Sequence, residues 1–342
     1  MKTFSKIREG IAGLGEKVNK LLRKNAAEKV SGEQHRGIAF KPKVKVKIQR
    51  SKKETRKIVR ETVTSWIFLS PSLIGVLTFF VVPFIVVLYY SVVNNPIQKE
   101  FIGFYNFTRV FNNDAFRLAA GNTFKFSIVA VPLAVSLSLL LAVVMESGIP
   151  FKSQFRSFFL SPMMVPIASI VLIWQVLFDF NGLFNQFYTL FGNNKVDWLK
   201  SEHAQVVIVF LFLWKNLGYN MILFMAALSS VPKDLLEVAR LESASEAQIF
   251  WTIKMRYLSS TILFVTIMSL INSFKVFREI YLLTGDYPYQ TLYMMQHFMN
   301  NTFASVDYQK LSASAIMMAI VIVILMLIMF LTENRYGRDI EG

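Results

Sequence analysis

Residues 312–331 read SASAIMMAIVIVILMLIMFL, twenty positions without one charged side chain. That run is too long for a strand and apolar on every side, so it is not one face of a soluble helix. Wound as an α-helix it covers about 30 Å, the thickness of the hydrocarbon layer of a bilayer. Five more apolar blocks precede it, at 66–93, 123–145, 158–178, 204–228 and 259–283. Backbone polar groups inside hydrocarbon must find their partners within the segment, so each block is expected to be helical. The expected fold class is all-α integral membrane, with six transmembrane helices. Pro71 and Pro83 fall inside the first block, and Pro162 and Pro166 near the start of the third. Kinks or broken helices are expected there.

The composition agrees. Of 342 residues, 54% are hydrophobic and only 17% charged, against about 25% charged in an average soluble domain. The net charge of +15 is lopsided: residues 1–60 hold 19 Lys and Arg against 5 Asp and Glu, and the rest of the chain holds 18 against 17. The basicity therefore belongs to a tail. Beside a membrane span such a tail reads as a cytoplasmic anchor obeying the positive-inside bias, close to membrane lipid, with no nucleic-acid partner required. Within it Phe4, Ile7, Ile11, Leu14, Val18 and Leu21 recur at helical spacing, which fits an amphipathic surface helix or a solvated tail. Residues 26–60 read as a linker. The first long apolar run begins only near Trp66, so the start does not read as a secretory signal. The absence of cysteine excludes disulfides, thiolate metal sites and cysteine nucleophiles. Six crossings from an inside N-terminus return the C-terminus to the inside. Segments 146–157 and 230–258 are then cytoplasmic, and 94–121, 179–203 and 284–311 external. That orientation rests on the tail.

The loop at 230–258 carries more order than a connection needs. Pro232 suits the first turn of a helix, where its missing N–H costs nothing. Leu235, Leu236, Ala239 and Ser243 share one face, and Glu237 and Arg240 are placed to pair on the other. Ser245 with Gln248 three residues on is a capping-box pattern that restarts a helix, with Ile249, Phe250 and Ile253 on its apolar side. The loop is expected to be two short helices meeting at a bend near Ser243 and Ala244. Small residues there would let a partner's backbone come close.

At this loop the chain resembles a known family. Residues 237–251, EVARLESASEAQIFW, are similar to the "EAA" coupling loop of binding-protein-dependent ABC permeases of the carbohydrate-uptake (maltose and multiple-sugar) type. The family's central glycine is Ser243 here, and its later proline falls at Arg256. Residues 101–107, FIGFYNF, resemble the family's external F-x-G-x-x-N-F segment. The stretch from Ser161 and Pro162 through Pro166 to Trp174 resembles its third helix, and 274–285, FKVFREIYLLTG, its fifth helix and the following turn. The resemblance covers roughly 66–335. It implies a transmembrane permease domain at 63–335 with its core at about 118–333, while the basic tail at 1–62 and the short end at 336–342 lie outside it and are read as cytoplasmic from the charge of the tail. It also implies a bacterial cytoplasmic membrane and an importer of a sugar or oligosaccharide. The expected partners are a second permease subunit, two ATP-binding-cassette ATPases and an extracytoplasmic sugar-binding protein. ATP and Mg would be bound by those ATPases, with no cofactor in this chain. Consistently, no G-x-x-x-x-G-K-[ST] phosphate loop occurs in it. Glu237, Ala239, Arg240, Ser243 and Ala244 would carry the ATPase coupling.

Intramembrane charges are costly and mark functional sites by default. Lys275, Arg278 and Glu279 lie in the fifth block, with Asn272 just before them and Tyr281 just after. Two readings stand: Lys275 and Glu279, four apart, neutralise each other, or these residues line a polar path for hydroxyl-rich or anionic sugars. Phe274, Phe277 and Tyr281 could stack on sugar rings or simply pack. Lys125 is read as snorkelling to the interface, and His203 and His297 as solvated. Glu242 and Glu246, four apart, read as the solvated face of a helix. No H-E-x-x-H pattern or catalytic dyad is found, so no enzyme is expected. The competing classes are an ABC permease for another solute and an ion-driven secondary transporter, which would call for inverted repeats with paired broken helices.

Overall fold

The structure, a computed structural model, describes residues 52–147 and 149–336. The stretch at 1–25, read as an amphipathic helix, and the end of the chain at 337–342 lie outside the described residues. The chain divides into two units, Met1–Pro71 and Ser72–Gly342. Among the described residues the architecture is helical throughout, with one isolated antiparallel bridge, Val93 to Phe101. Six stretches are long and apolar enough to cross a bilayer: Arg60–Ser91, Asp114–Glu146, Ile167–Leu190, Ala204–Ser229, Glu246–Thr284 and Tyr308–Glu333.

Helix α1 (Lys52–Val76) begins ten residues before the boundary expected at 62, so the end of the expected linker is already helical. It passes through a π turn at Leu77–Val81 into α2 (Val82–Ser91). Pro83 supplies no N–H for the carbonyl four residues back, and the turn before it widens, with the Val82 N–H donating to the Leu77 carbonyl. The connection to α3 (Tyr105–Phe111) is held by Asn106, which is buried and donates to the carbonyls of Ser91 (3.0 Å) and Val93 (2.9 Å). Gly103, at φ +60°, makes the left-handed turn that brings it there. These are the glycine and asparagine of the 101–107 motif.

Helix α4 (Asp114–Glu146) is capped by Asn113, whose side chain accepts from the Phe116 N–H. It packs along α8 (Ala204–Ser229), and α11 (Met255–Phe274) lies against both. Phe126, Ala130 and Ala134 of α4 meet Ile208, Leu211 and Phe212 of α8 in the main core cluster, where the Phe126 and Phe212 rings meet edge to face at 5.5 Å. Helix α5 (Lys152–Met164) approaches α8 so closely that a Cβ at Gly218 would stand 1.9 Å from the Phe159 carbonyl oxygen. Small residues at such crossings let membrane helices pack by direct contact.

Two of the expected spans are broken. The third is split at Val165 and Pro166: α5 ends at Met164, Val165 is extended, as the residue before proline prefers, and α6 (Ile167–Phe178) starts afresh. After α6 comes α7 (Leu183–Leu190). The fifth block, expected as one helix, is split at Lys275 and Val276. There the Lys275 N–H bonds the Asn272 carbonyl, three residues back, and α12 (Phe277–Thr284) follows. The side chain of Ser273 donates to the Leu270 carbonyl at 2.7 Å, competing with the helical ladder just before the break. Helix α12 packs on α6. The chain closes with α13 (Met295–Ala304) and the long α14 (Tyr308–Tyr336), which lies on α2 and α11.

Candidate functional site

Two features stand out, the 232–254 loop and a polar cavity within the helical bundle. In the loop, α9 (Lys233–Leu241) is followed by α10 (Glu246–Ile249), as the two-helix reading expected. The bend has a definite chemistry. The Ala244 N–H donates to the Ala239 carbonyl and the Ser243 N–H to the Arg240 carbonyl, both at 3.0 Å. This is a Schellman ending, whose pivotal residue must be left-handed. That residue is Ser243, at φ +62°. The helix restarts on the expected capping box: the Ser245 hydroxyl accepts from the Gln248 N–H, and the Gln248 side chain accepts from the Ser245 N–H at 2.8 Å.

The ion pairs of the loop differ from expectation. Arg240 pairs with Glu246 across the bend, Nε to Oε1 2.8 Å, and not with Glu237. The bend folds Glu246 back towards Arg240, whereas Glu237 one turn earlier has no ion pair among the described residues. Hydrogen bonding to Glu246 raises the Arg240 guanidinium above its ordinary value. Glu242 and Glu246 do not share one helical face, since α9 ends between them and the following helix. Lys254 donates to Glu146 at 2.8 Å, tying the return of the loop to the end of α4. The outward surface of α9 carries Leu235, Glu237, Val238 and Leu241, all exposed. Ala239 and Ala244 are half-buried at the bend.

The cavity, about 440 Å3, lies among α5, α8, α11 and α12 and reaches both helix breaks. Lys275 and Val276 line it from one break, and Met163 from beside the other. Lys215, Asn216 and Tyr219 come from α8, and Asn272, Arg278 and Glu279 from α11 and α12. The Asn272 amide donates to the Asn216 side-chain oxygen at 3.0 Å, and Asn216 donates in turn to the Phe212 carbonyl at 2.8 Å. Below them Asn220 donates to Ser269 at 3.0 Å, and Ser127 and Ser273 bond each other at 2.8 Å. A polar seam thus joins the three central helices.

Asn272, Lys275, Arg278 and Glu279 are therefore brought together, but not as an i,i+4 pair. The break after Lys275 removes the helical register on which a Lys275–Glu279 pair depends. Glu279, buried, pairs instead with Lys215 of α8. Lys275 and Arg278 remain exposed, with no ion pair among the described residues. Tyr281 is not in the cavity wall and packs on Phe277, ring centroids 5.3 Å apart. Phe274 lines a separate apolar groove. Sequence reasoning passed over Lys215, Asn216 and Tyr219. Lys215 is a charge in the middle of the fourth apolar block, which is the signal that could have found it.

On the 284–311 segment, His297 is buried, not solvated. Its Nδ1 accepts from the Met294 N–H at 3.2 Å, and its ring stands edge to face on Phe277 with centroids 4.6 Å apart. Burial pushes the imidazole down to about 4. His203 is exposed, and so is Lys125.

A bundle with broken third and fifth spans around a polar cavity, and with a capped helix pair projecting from one end, defines a solute-transporting membrane subunit. Residues 134–340 match the family model of binding-protein-dependent transport system inner membrane components, and the chain belongs to that family. A similar protein is the sn-glycerol-3-phosphate transport system permease of Rhizobium meliloti, 29% identical over 276 residues, 78% of this chain and 94% of the relative. The trehalose/maltose transport system permease of Thermococcus litoralis is 29% identical over 286 residues, 82% of this chain and 96% of the relative. Among solved structures, a bacterial ABC transporter involved in import of the acidic polysaccharide alginate shares the fold, with a TM-score of 0.71 at 20% identity, covering 82% of this chain and 98% of that one.

Proposed function

We propose that this chain is one permease subunit of an ATP-binding-cassette importer that carries a sugar or oligosaccharide across the cytoplasmic membrane of a bacterium. An external binding protein delivers the solute, and two separate ATPase subunits and a second permease complete the assembly. The observation that carries the reading is the 232–254 loop: a Schellman bend and a capping box fix two short helices, and α9 offers Glu237, without an ion pair among the described residues, beside exposed Leu235, Val238 and Leu241. Such a surface suits insertion into a cleft of a partner. The substrate class is supported by a relative named for trehalose and maltose. The basic segment at 1–60 then lies in the cytoplasm with both termini, on the same side as the loop.

In this assembly Ser243 and Ala244 form the close-approach point, Arg240 with Glu246 holds the bend, and Glu237 meets the ATPase. Asn272, Lys275, Arg278 and Glu279 contribute to the solute path. The test is purification from the native membrane in gentle detergent, with identification of the associated proteins. An ATPase and a second permease should accompany the wild type. Glu237→Arg should lose the ATPase while the second permease stays. Retention of the ATPase and unchanged uptake by Glu237→Arg would remove the coupling role of this loop.

A further inference from the structure

We infer that the carried solute is anionic, a sugar bearing a carboxylate, sulfate or phosphate group, and that Arg278 and Lys275 bind its charge in the cavity between α8 and the break of the fifth span. This rests on the sugar-permease reading above and names the substrate class of the same cavity.

The charges of the cavity do not balance. Its wall carries three cations, Lys215, Lys275 and Arg278, and one carboxylate, Glu279. Glu279 is already used, since it is buried and its Oε1 accepts from Lys215. The pair cancels itself and leaves Lys275 and Arg278 as surplus. No acid among the described residues pairs with either. Two like charges three residues apart on one wall repel each other. An anion entering between them relieves that repulsion.

Local structure favours the same conclusion. Lys275 and Arg278, three residues apart, line the wall of one cavity beside the break. Arginine presents a planar fork that takes a carboxylate, sulfate or phosphate through two hydrogen bonds. The neutral part of the wall suits the rest of a sugar. Tyr219 offers a hydroxyl, and the Asn272–Asn216 bond leaves the Asn272 side-chain oxygen without a partner among the described residues, ready to accept from a hydroxyl. A cationic solute would meet a surplus of its own sign.

The test has two stages. The cognate binding protein is first offered a mixture of galacturonate oligomers, sulfated galactose oligomers and glucose 6-phosphate, together with neutral galactose and glucose oligomers. The captured solute is identified by mass spectrometry. The whole importer in proteoliposomes then takes up that solute and its neutral counterpart. Capture of an anionic sugar is expected, carried at least about tenfold better than the neutral counterpart, as loss of one charge-assisted bond implies. Which of the three is captured separates carboxylate, sulfate and phosphate. Arg278→Gln should raise KM for the anion by about tenfold or more, Arg278→Lys by less, and both variants should still purify with the second permease. Capture and transport of a neutral sugar would overturn the inference and leave the sugar-permease reading standing. Capture of no sugar at all would remove both. Loss of the second permease from Arg278→Gln and Lys275→Gln would also overturn it, because these cations would then be partners of an acid across the subunit interface.

Discussion

Replacing Lys215 by Met should destabilise the protein far more than removing either exposed cation of the same cavity. Glu279 is only 6% exposed, its Oε1 is held by Lys215, and its Oε2 is buried with no hydrogen-bond partner among the described residues. Without Lys215 the carboxylate is left buried and uncompensated. Breaking a buried pair from one side costs about 3–5 kcal/mol. Lys215 keeps 33% of its side chain exposed, so water shares the load, and the lower end, about 3 kcal/mol, is expected. Removing the charge as well, in Lys215→Met with Glu279→Gln, should recover most of this and leave a net loss of about 1 kcal/mol. Lys275→Met should lie within about 0.5 kcal/mol of wild type, as substitutions at exposed, unpaired positions usually do. The assay is thermal unfolding of the detergent-purified chain, followed by tryptophan fluorescence, with wild type, Lys215→Met, Glu279→Gln and the double variant closing a double-mutant cycle. A coupling between Lys215 and Glu279 below about 0.5 kcal/mol would refute the reasoning. The Lys275 surplus would then no longer follow, because Glu279 would be free to balance it.

Three further positions test the rest of the fold. Ser243→Gly should stabilise the bend by about 0.5 kcal/mol, because relief of the left-handed conformation outweighs the extra freedom of glycine in the unfolded chain. Ser243→Val should speed hydrogen exchange at the Ser243 and Ala244 amides that close α9, and unchanged exchange would show that the left-handed residue is not limiting. Gly218→Ala should cost about 1–3 kcal/mol, as overpacking does, because the new methyl would meet backbone and not a movable side chain; a melting point equal to wild type would mean that α5 gives way freely. His297 should make stability fall on acidification. Its folded-state value of about 4 lies below the ordinary 6.5, so between those limits the unfolded chain takes up a proton that the folded one refuses. Its contribution is complete above pH 6.5 and shrinks by up to about 3 kcal/mol as pH falls to 4. His297→Gln should flatten that dependence, and an unchanged slope would exclude His297 as its source.

How much of this was legible in the sequence depended on whether local chemistry decided the outcome. The six spans followed from hydropathy alone, because hydrocarbon leaves the backbone few options. The Ser245 and Gln248 capping box was legible because both partners lie within four residues. The break beside Pro166 was legible for the same reason. The break at Lys275 was not: FKVF carries neither glycine nor proline, and the break is flanked by contacts to other helices, Ser273 with Ser127 and Glu279 with Lys215. Pairing errors had the same origin. Lys275 with Glu279 and Arg240 with Glu237 are sound inferences for an unbroken helix, and both failed where the helix ends. Buried His297 lay beyond sequence reasoning because an external segment gives no sign that it will fold onto the bundle.

The placement of the two breaks and one bend has a mechanical consequence. From Glu246 to Phe274 the chain is one continuous helical run, made of α10, the π turn Phe250–Lys254 and α11. At 1.5 Å per residue it is a rod of about 40 Å. Its first turn is pinned by the capping box to the Ser243 bend, and its last residues carry Asn272 and border the cavity at Lys275. Lys254 anchors the rod to the end of α4 near the loop. A push on α9 is therefore not absorbed within the loop, whose bend is fixed by four backbone and side-chain bonds. In the assembly proposed above, that push would pass along the run to the break at Lys275, which borders the cavity. The proposed coupling loop and the proposed solute path thus stand at the two ends of one continuous helical run.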